Sequence, residues 1–300
     1  MKFENIRVMN LENAFRGMRN PKESYHLIDS SFGLADMANC DARYDTVDEW
    51  LNFLEIDRAN VQERDSAFEK ISNWLLKNGV LYNDGYIAEY AFIGPKDMRL
   101  AQQLIHGGSE HRKFLRQIFV SVDITAPLFY WKEFDTYKVG TTANSTSTMH
   151  KITSKPITLE CFEIDDYAPE VFKKDTKIVN NFIYFLEGLR KEYLFLMEES
   201  KNPNISPLQK NEYTEEAQKL WKELIRWLPE SWLQTRTVTL TYENVLSICN
   251  QRENHKLNEW TGKKYPVEHS FLQFANKLPY SSELLFLSKN FKGNFPSVDF

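Results

Sequence analysis

The sequence predicts an α+β protein in which helices dominate, folded as a single domain over residues 1–300. Its composition is that of a globular chain, with 42% hydrophobic and 26% charged residues. Several long stretches carry apolar residues at helical spacing, and two short ones alternate apolar and polar residues with a period of two. We therefore expect long helices around a sheet with at least two strands.

Four segments carry the helical pattern, apart from the two that follow the strands. The first is a helical elaboration over 45–76, and the second begins at Pro95 and ends before Gly107-Gly108, where two glycines stop it. A long helix is expected over 178–199. After a break that contains proline, Thr214 is expected to cap another helix, which runs to Leu228. Its predicted buried stripe consists of Ala217, Leu220, Trp221, Leu224 and Leu228.

The two strand patterns are each followed by a helical pattern. The first alternates from Gln117 to Ile124, and Pro127 is expected to be the first residue of the next helix, which runs towards Lys138. The second covers 235–241 and leads directly into a helix over 243–260. One face of that helix would carry Arg252, His255, Lys256 and Glu259. Between the two patterns, the small and hydroxyl-rich residues of 140–150 predict a loop.

Charge and cysteine content exclude several classes of protein. The net charge is −5 and the isoelectric point is near 5.8, which argues against a broad nucleic-acid surface. No segment has the length and hydropathy of a signal peptide or a membrane span, so we expect a cytoplasmic protein without membrane contacts. Three widely spaced cysteines support neither a disulfide framework nor a thiolate zinc site, and no metal is expected.

Three groups of polar residues could carry chemistry, although the pattern alone leaves their roles open. Glu110-His111 follows a Gly-Gly turn, where a histidine is either structural or part of a site. The segment 141–148 offers hydroxyls and backbone N–H groups beside Lys138, so it is either a solvated loop or a phosphate cradle. Arg252 is either a surface ion-pair residue or an anion clamp.

Taken together, these segments resemble the flavin-dependent thymidylate synthases of the ThyX type. The turn 107–111 matches a family turn, and the strand that ends in Ile-Thr-Ala-Pro at 124–127 matches the family strand that follows it. The family's next motif is Arg-His-Arg-x7-Ser, and its first position lies at the same distance from His111 as in the family. Leu228-Pro229, the following strand and Arg252 match a second family segment. The resemblance covers roughly 105–152 and 225–260.

The resemblance implies an α+β protomer that assembles as a homotetramer with active sites between subunits. It implies binding of dUMP and its reductive methylation to dTMP, with methylenetetrahydrofolate as the methylene donor, reduced FAD as the hydride donor and NADPH as the reductant. Catalytic positions fall on Thr146 and Arg252. Cofactor positions fall on His111, Thr136, Tyr137 and Lys138. Substrate positions fall on Glu133, Asn144, Ser145, Thr146, Ser147, Arg226 and Arg252.

The sequence departs from the family at charged positions. Only Lys138 is a cation where the family has Arg-His-Arg, and Thr241 and Glu243 replace a flavin-contacting Asn and Arg. Asn144 and Thr148 replace a Glu and an Arg that help to bind dUMP. The positions that would bind the flavin lose more positive charge than the positions that would bind the nucleotide. One alternative is therefore a non-catalytic nucleotide-binding or scaffold protein. Another is an enzyme in which Glu133 and Asn144 read a different pyrimidine.

Overall fold

The computed structural model describes residues 1–36, 80–83, 87–164, 176–262 and 270–287. The helical segment predicted over 45–76 therefore lies outside the described residues. The observed architecture is helix-rich α+β, as the sequence predicts.

Seven strands and ten α-helices are found in the described parts of the chain. The strands are β1 (Lys2–Met9), β2 (Ser31–Asp36), β3 (Val80–Asn83), β4 (Ile87–Phe92), β5 (Phe119–Pro127), β6 (Thr142–Ser145) and β7 (Leu233–Thr241). The helices are α1 (Leu11–Met18), α2 (Pro95–His106), α3 (Leu128–Phe134), α4 (Thr148–Lys151), α5 (Thr176–Glu199), α6 (Pro207–Arg226), α7 (Tyr242–Arg252), α8 (Asn258–Thr261), α9 (Phe271–Asn276) and α10 (Ser281–Leu284).

The strands form two sheets. A four-stranded sheet has the order β1-β5-β7-β6, and a three-stranded sheet has the order β2-β4-β3. In the smaller sheet, β4 is antiparallel to both of its neighbours. The two strands that the sequence predicts, β5 and β7, are thus neighbours at the centre of the larger sheet.

The chain also divides into two compact units. Unit 1 comprises Met1–Phe3, Asp123–Tyr137 and Ala143–Thr237; unit 2 comprises Glu4–Val122, Lys138–Thr142 and Val238–Phe300.

Strand β5 confirms the predicted alternation, because Val120, Val122 and Ile124 of the strand and Ile118 just before it are all fully buried. Two details differ from the expectation. Pro127 is still extended, with φ −70° and ψ 157°, so it caps α3 and the helix begins at Leu128. Helix α3 ends at Phe134, well before Lys138, because Thr136 Oγ1 donates a hydrogen bond to the Glu133 carbonyl and closes a turn.

In unit 1, helices α5 and α6 pack against each other. Leu186 and Leu224 lie in one core cluster together with Phe162. The predicted start of α6 at Thr214 is wrong, because Ser206, eight residues earlier, forms a reciprocal capping box with Gln209. Thr214 lies inside the helix and donates its hydroxyl to the Lys210 carbonyl at 2.8 Å.

In unit 2, helix α7 follows β7 directly and is stabilised by a capping box between Thr241 and Asn244. The predicted helix over 243–260 is wrong in its second half, because α7 ends at Arg252. Beyond it, His255 Nδ1 accepts a hydrogen bond from the Leu257 N–H at 3.2 Å, and this contact turns the chain before α8. The predicted four-residue polar face therefore does not form as one helix surface.

Tyr280 joins distant parts of unit 2. Its hydroxyl donates to the Ala91 carbonyl at 2.8 Å and accepts from the Ile93 N–H at 3.0 Å. Tyr280 is 3% exposed and has a positive φ of 56°, a backbone conformation that costs free energy for a residue with a bulky side chain. Burial raises the pKa of this hydroxyl, which keeps it protonated.

Replacing Tyr280 by phenylalanine should lower the free energy of unfolding by about 1–3 kcal/mol, because two buried backbone groups lose their partner. The raised pKa means that the hydroxyl contributes its full stability below about pH 10, the unfolded value, and loses it progressively above. The difference in the free energy of unfolding between the wild-type protein and Tyr280→Phe should therefore narrow above about pH 10. Chemical denaturation at neutral and alkaline pH measures it, and Tyr25→Phe, at an exposed hydroxyl, is the control. Equal stability of the Tyr280 and Tyr25 variants would contradict this role.

Among the described residues, no helix is both long enough and apolar enough to cross a bilayer.

Candidate functional site

The hydroxyl-rich segment of unit 1 is ordered along a strand edge. The predicted loop over 140–150 is wrong in part, because it contains β6 and the short helix α4. The Thr146 N–H and its Oγ1 both donate to the Thr235 carbonyl, at 2.9 and 3.1 Å. Threonines suit an extended backbone, and this pairing with β7 supplies the hydrogen bonds that a free loop would lack.

The segment keeps its polar side chains towards solvent. Asn144, Ser145 and Thr146 are exposed. Ser147 is half-buried, and its hydroxyl oxygen accepts a hydrogen bond from the His150 N–H at 3.3 Å as the cap of α4. The substrate positions predicted at 144–147 are thus consecutive residues on one largely exposed segment, and the hydroxyls of Thr146 and Ser147 already form hydrogen bonds with the backbone.

An arginine that the sequence analysis does not single out lies beside this segment. The guanidinium carbon of Arg236 lies 4.2 Å from the centre of the Trp131 ring. Its Nε donates to Gln234 Oε1 at 3.0 Å, and its Nη1 pairs with Asp135 Oδ1 at 2.7 Å. The available signal was a charged residue at the second position of the predicted strand 235–241, where its side chain has to reach a partner.

Three of the residues that the resemblance assigns to the flavin or the base lie around the end of α3. Glu133 is half-buried, and its carbonyl accepts the Thr136 hydroxyl at 2.7 Å. The Tyr137 ring meets Phe134 edge-on, with 6.3 Å between ring centres. Thr136 and Tyr137 therefore close this helix and pack against it.

Arg226 ends helix α6, also in unit 1. It forms an exposed ion pair with Glu223 on the same helix, with 2.6 Å between Nη1 and Oε1. Such a pair is screened by solvent and contributes little to stability.

In unit 2, Lys138 and His111 are both exposed. The backbone after Lys138 is held in place, because Asn244 Nδ2 donates to the Val139 carbonyl at 2.6 Å. The His111 ring lies against Gly107, where an added Cβ would approach the ring to 3.1 Å. The glycine thus allows the histidine to fold back over the end of α2.

The first turn of α7 contains an ion pair that sequence reasoning missed. Arg112 Nε lies 2.9 Å from Glu243 Oε2, and both side chains are largely buried. The negative charge at Glu243, which replaces a family arginine, is therefore balanced within unit 2 by a residue next to His111. Their separation of 131 positions in the sequence left no local signal.

Arg252 ends α7 in unit 2. Its guanidinium carbon lies 4.7 Å from the centre of the Trp260 ring, a cation–π arrangement that restricts the side chain. Trp260 is fully buried, and His255 meets the same ring edge-on at 6.1 Å. The structure thus places Arg252 on a rigid aromatic platform instead of a solvated helix face.

The predicted site residues divide between the two units. Unit 1 contains Glu133, Thr136, Tyr137, Asn144, Ser145, Thr146, Ser147 and Arg226, and unit 2 contains His111, Lys138 and Arg252. Within unit 1, the residues 144–147 form one segment, and Glu133, Thr136 and Tyr137 form another group at the end of α3.

No protein-family model matches the chain, and no curated protein matches it. Among solved structures, the chain is similar to thymidylate synthase X (ThyX) from Helicobacter pylori with FAD and dUMP. The identity is 12% and the TM-score is 0.48, over 95% of this chain and 98% of that chain. A second ThyX structure from Helicobacter pylori, complexed with FAD and dUMP, is 14% identical with a TM-score of 0.40. It covers 65% of this chain and 84% of that chain. A likeness of this size describes a distant similarity of fold and assigns no activity.

Proposed function

We propose that this chain is a divergent ThyX-like protein whose function is to bind a pyrimidine nucleotide, dUMP. The observation that carries the proposal is the ordered, exposed segment 144–147, which the sequence resemblance assigns to the nucleotide. Its backbone is fixed by the bonds from Thr146 to Thr235. A segment held in this way loses little conformational entropy when its hydroxyls and amide groups bind a ligand.

We propose Arg252, in unit 2, as a phosphate-binding residue, the role that the resemblance gives it. A guanidinium presents several N–H donors in a plane and suits two oxygens of one phosphate. Stacking on Trp260 fixes the plane of that fork before a ligand arrives. This support from a buried ring favours a binding role over that of a mobile surface arginine.

The residues at the flavin positions do not fit the flavin-binding role that the resemblance implies. The Thr136 hydroxyl is bonded to the Glu133 carbonyl, Tyr137 packs on Phe134, and Glu243 is paired with Arg112. The pyrophosphate of FAD needs cations or helix N-termini for binding. Where the family has Arg-His-Arg, only Lys138 supplies a cation. We therefore derive no catalytic step through FAD.

A second candidate function is reductive methylation of dUMP to dTMP, with methylenetetrahydrofolate, reduced FAD and NADPH, as the resemblance implies. It is favoured by the exposed Lys138 and His111, which remain accessible to a ligand. The alternative of a non-catalytic nucleotide-binding protein is favoured by the structural use of Thr136 and Glu243. The two differ in whether flavin binds.

Binding and spectroscopic measurements on the purified chain separate these functions. Nucleotide binding predicts saturable titration with dUMP and weaker binding of dCMP, whereas a preference for dCMP would indicate an enzyme or binder for another pyrimidine. Flavin absorbance in the purified protein, or quenching of FAD fluorescence on titration, together with dTMP formation, would establish the synthase. Binding of dUMP without either signal would support the non-catalytic function.

We also propose that the chain assembles as a homotetramer. Helices α5 and α6 carry large apolar side chains that are exposed to solvent: Tyr184 is 79% exposed, Phe195 57% and Leu208 69%. Large apolar side chains exposed in this way favour burial against another surface, here a second copy of the chain. Light scattering should give about four times the mass of one 35.4 kDa chain, and Tyr184→Lys should lower it. A monomer at micromolar concentration would contradict the proposal.

A further inference from the structure

The resemblance assigns no role to Arg236, yet Gln234 links this arginine to the segment 144–147 of unit 1. We infer that Arg236 is a nucleotide-binding residue, which donates hydrogen bonds to the phosphate of the ligand held by residues 144–147. This inference rests on the proposed function and adds a specific residue to it.

The guanidinium of Arg236 is held from three sides. The Trp131 ring lies beneath it at 4.2 Å, Gln234 Oε1 accepts from Nε at 3.0 Å, and Asp135 Oδ1 accepts from Nη1 at 2.7 Å. The side chain is only 17% exposed. An arginine fixed in this way presents its remaining donors in one orientation, which lowers the entropic cost of binding.

The support beneath Arg236 is itself rigid. Trp131 is 1% exposed, and its indole N–H is shared between the Ala126 and Gln234 carbonyls, at 3.0 Å to each. These two carbonyls belong to β5 and β7. The platform is thus set by the sheet, so the position of Arg236 does not depend on a flexible loop.

A single side chain links Arg236 to the nucleotide segment. Gln234 accepts from Arg236 with its Oε1, and with its Nε2 it donates to the Thr146 carbonyl at 3.2 Å and to Thr148 Oγ1 at 3.3 Å. Thr148 stands where the resemblance has an arginine that helps to bind dUMP. Arg236 therefore brings a guanidinium from the neighbouring strand to a segment that lacks that charge.

The donor count leaves capacity for a ligand. A guanidinium has five N–H donors, and the two hydrogen bonds to Gln234 and Asp135 use two of them. Asp135 is half-exposed, with 53% of its side chain accessible. Its carboxylate neutralises the arginine in the free protein and would repel a phosphate dianion, so Asp135 should weaken nucleotide binding while Arg236 strengthens it.

Substitutions of Arg236 and of Asp135 should change the affinity for dUMP in opposite directions, and this provides the test. Calorimetry should show that Arg236→Gln weakens dUMP binding about 10- to 100-fold, and that Arg236→Lys recovers part of the loss because it restores the charge without the fork. Asp135→Asn should tighten dUMP binding about two- to fivefold, the size of an exposed charge interaction. Deoxyuridine, which lacks the phosphate, should bind all four proteins equally.

Several outcomes would overturn the inference. If Arg236 only joins α3 to β7, Arg236→Gln and Asp135→Asn should lower the melting temperature together and leave the dUMP affinity of the folded protein unchanged. Equal loss of dUMP and deoxyuridine binding would show that the phosphate is not the contact. If the wild-type chain binds no dUMP, the proposed function fails and this inference fails with it, whereas wild-type binding that Arg236→Gln leaves unchanged removes Arg236 alone.

Discussion

Replacing Asp97 by alanine should lower the free energy of unfolding by about 3–5 kcal/mol, because it leaves a buried arginine without its counter-charge. Asp97 is 1% exposed and Arg19 is 4% exposed, and Oδ1 of Asp97 lies 2.6 Å from two nitrogens of Arg19. The other carboxylate oxygen accepts from the Asp29 N–H and from the N–H and hydroxyl of Ser30. All these bonds lie within unit 2.

Chemical denaturation monitored by circular dichroism measures this loss. A matched control is Glu230→Ala, which breaks the exposed ion pair with Lys132 and should change stability by less than about 1 kcal/mol. The double variant Arg19→Met with Asp97→Leu should recover part of the loss, since it removes both buried charges. If Asp97→Ala is no more destabilising than Glu230→Ala, the buried pair is not a major element of unit 2.

The second large effect concerns the ligand. Arg252→Ala should weaken dUMP binding by about 2–4 kcal/mol, which corresponds to about 30- to 1,000-fold in the dissociation constant. The reason is the loss of charge-assisted bonds to a phosphate from a side chain that Trp260 has already oriented. Calorimetry with dUMP measures the effect, and circular dichroism verifies that the variant is folded.

An arginine with the same charge but no assigned role serves as the control. Arg16 is exposed on α1 in the same unit, and Arg16→Ala should leave dUMP binding unchanged. Should Arg252→Ala fail to fold, Arg252→Gln keeps most of the side chain above Trp260 and tests the charge alone. An unchanged dissociation constant in a folded Arg252 variant would exclude Arg252 from the phosphate site.

The central strands could be predicted because their residues alternate locally. Val120 and Val122 are buried and Val238 and Leu240 are buried, as a period of two requires for a sheet with one covered face. Edge strand β6 has no such signal, because all four of its residues are exposed. Its pairing with β7 depends on residues about 90 positions away, as in the bond from Thr146 to Thr235.

Helix ends were predicted well where a strong local stop exists and poorly where two caps compete. Gly107 ends α2 as expected. For α6, Ser206 and Thr214 are both plausible caps, but only Ser206 has proline at the next position and a glutamine at the third. For α7, no glycine or proline marks the end at Arg252, and the stop comes from the contacts of His255 and Trp260.

The sequence could predict the nucleotide segment but not its charged neighbours. Residues 144–147 stand out by composition and by resemblance, whereas Arg236 acquires its position through Trp131 and Gln234 only once the strands pair. In the same way, the balance between Arg112 and Glu243 exists only in the folded chain. A positive charge that the sequence lacks at one position can thus come from a residue that is distant in the sequence but close in the fold. In the same way, such a residue can neutralise a charge that replaces it.

Calorimetric titration of the 300-residue wild-type chain with dUMP tests the central claim most directly. The account predicts saturable binding that approaches one nucleotide per chain and weakens as salt is raised, because cationic side chains hold the phosphate. A folded chain that shows no saturable binding at millimolar dUMP would contradict the account.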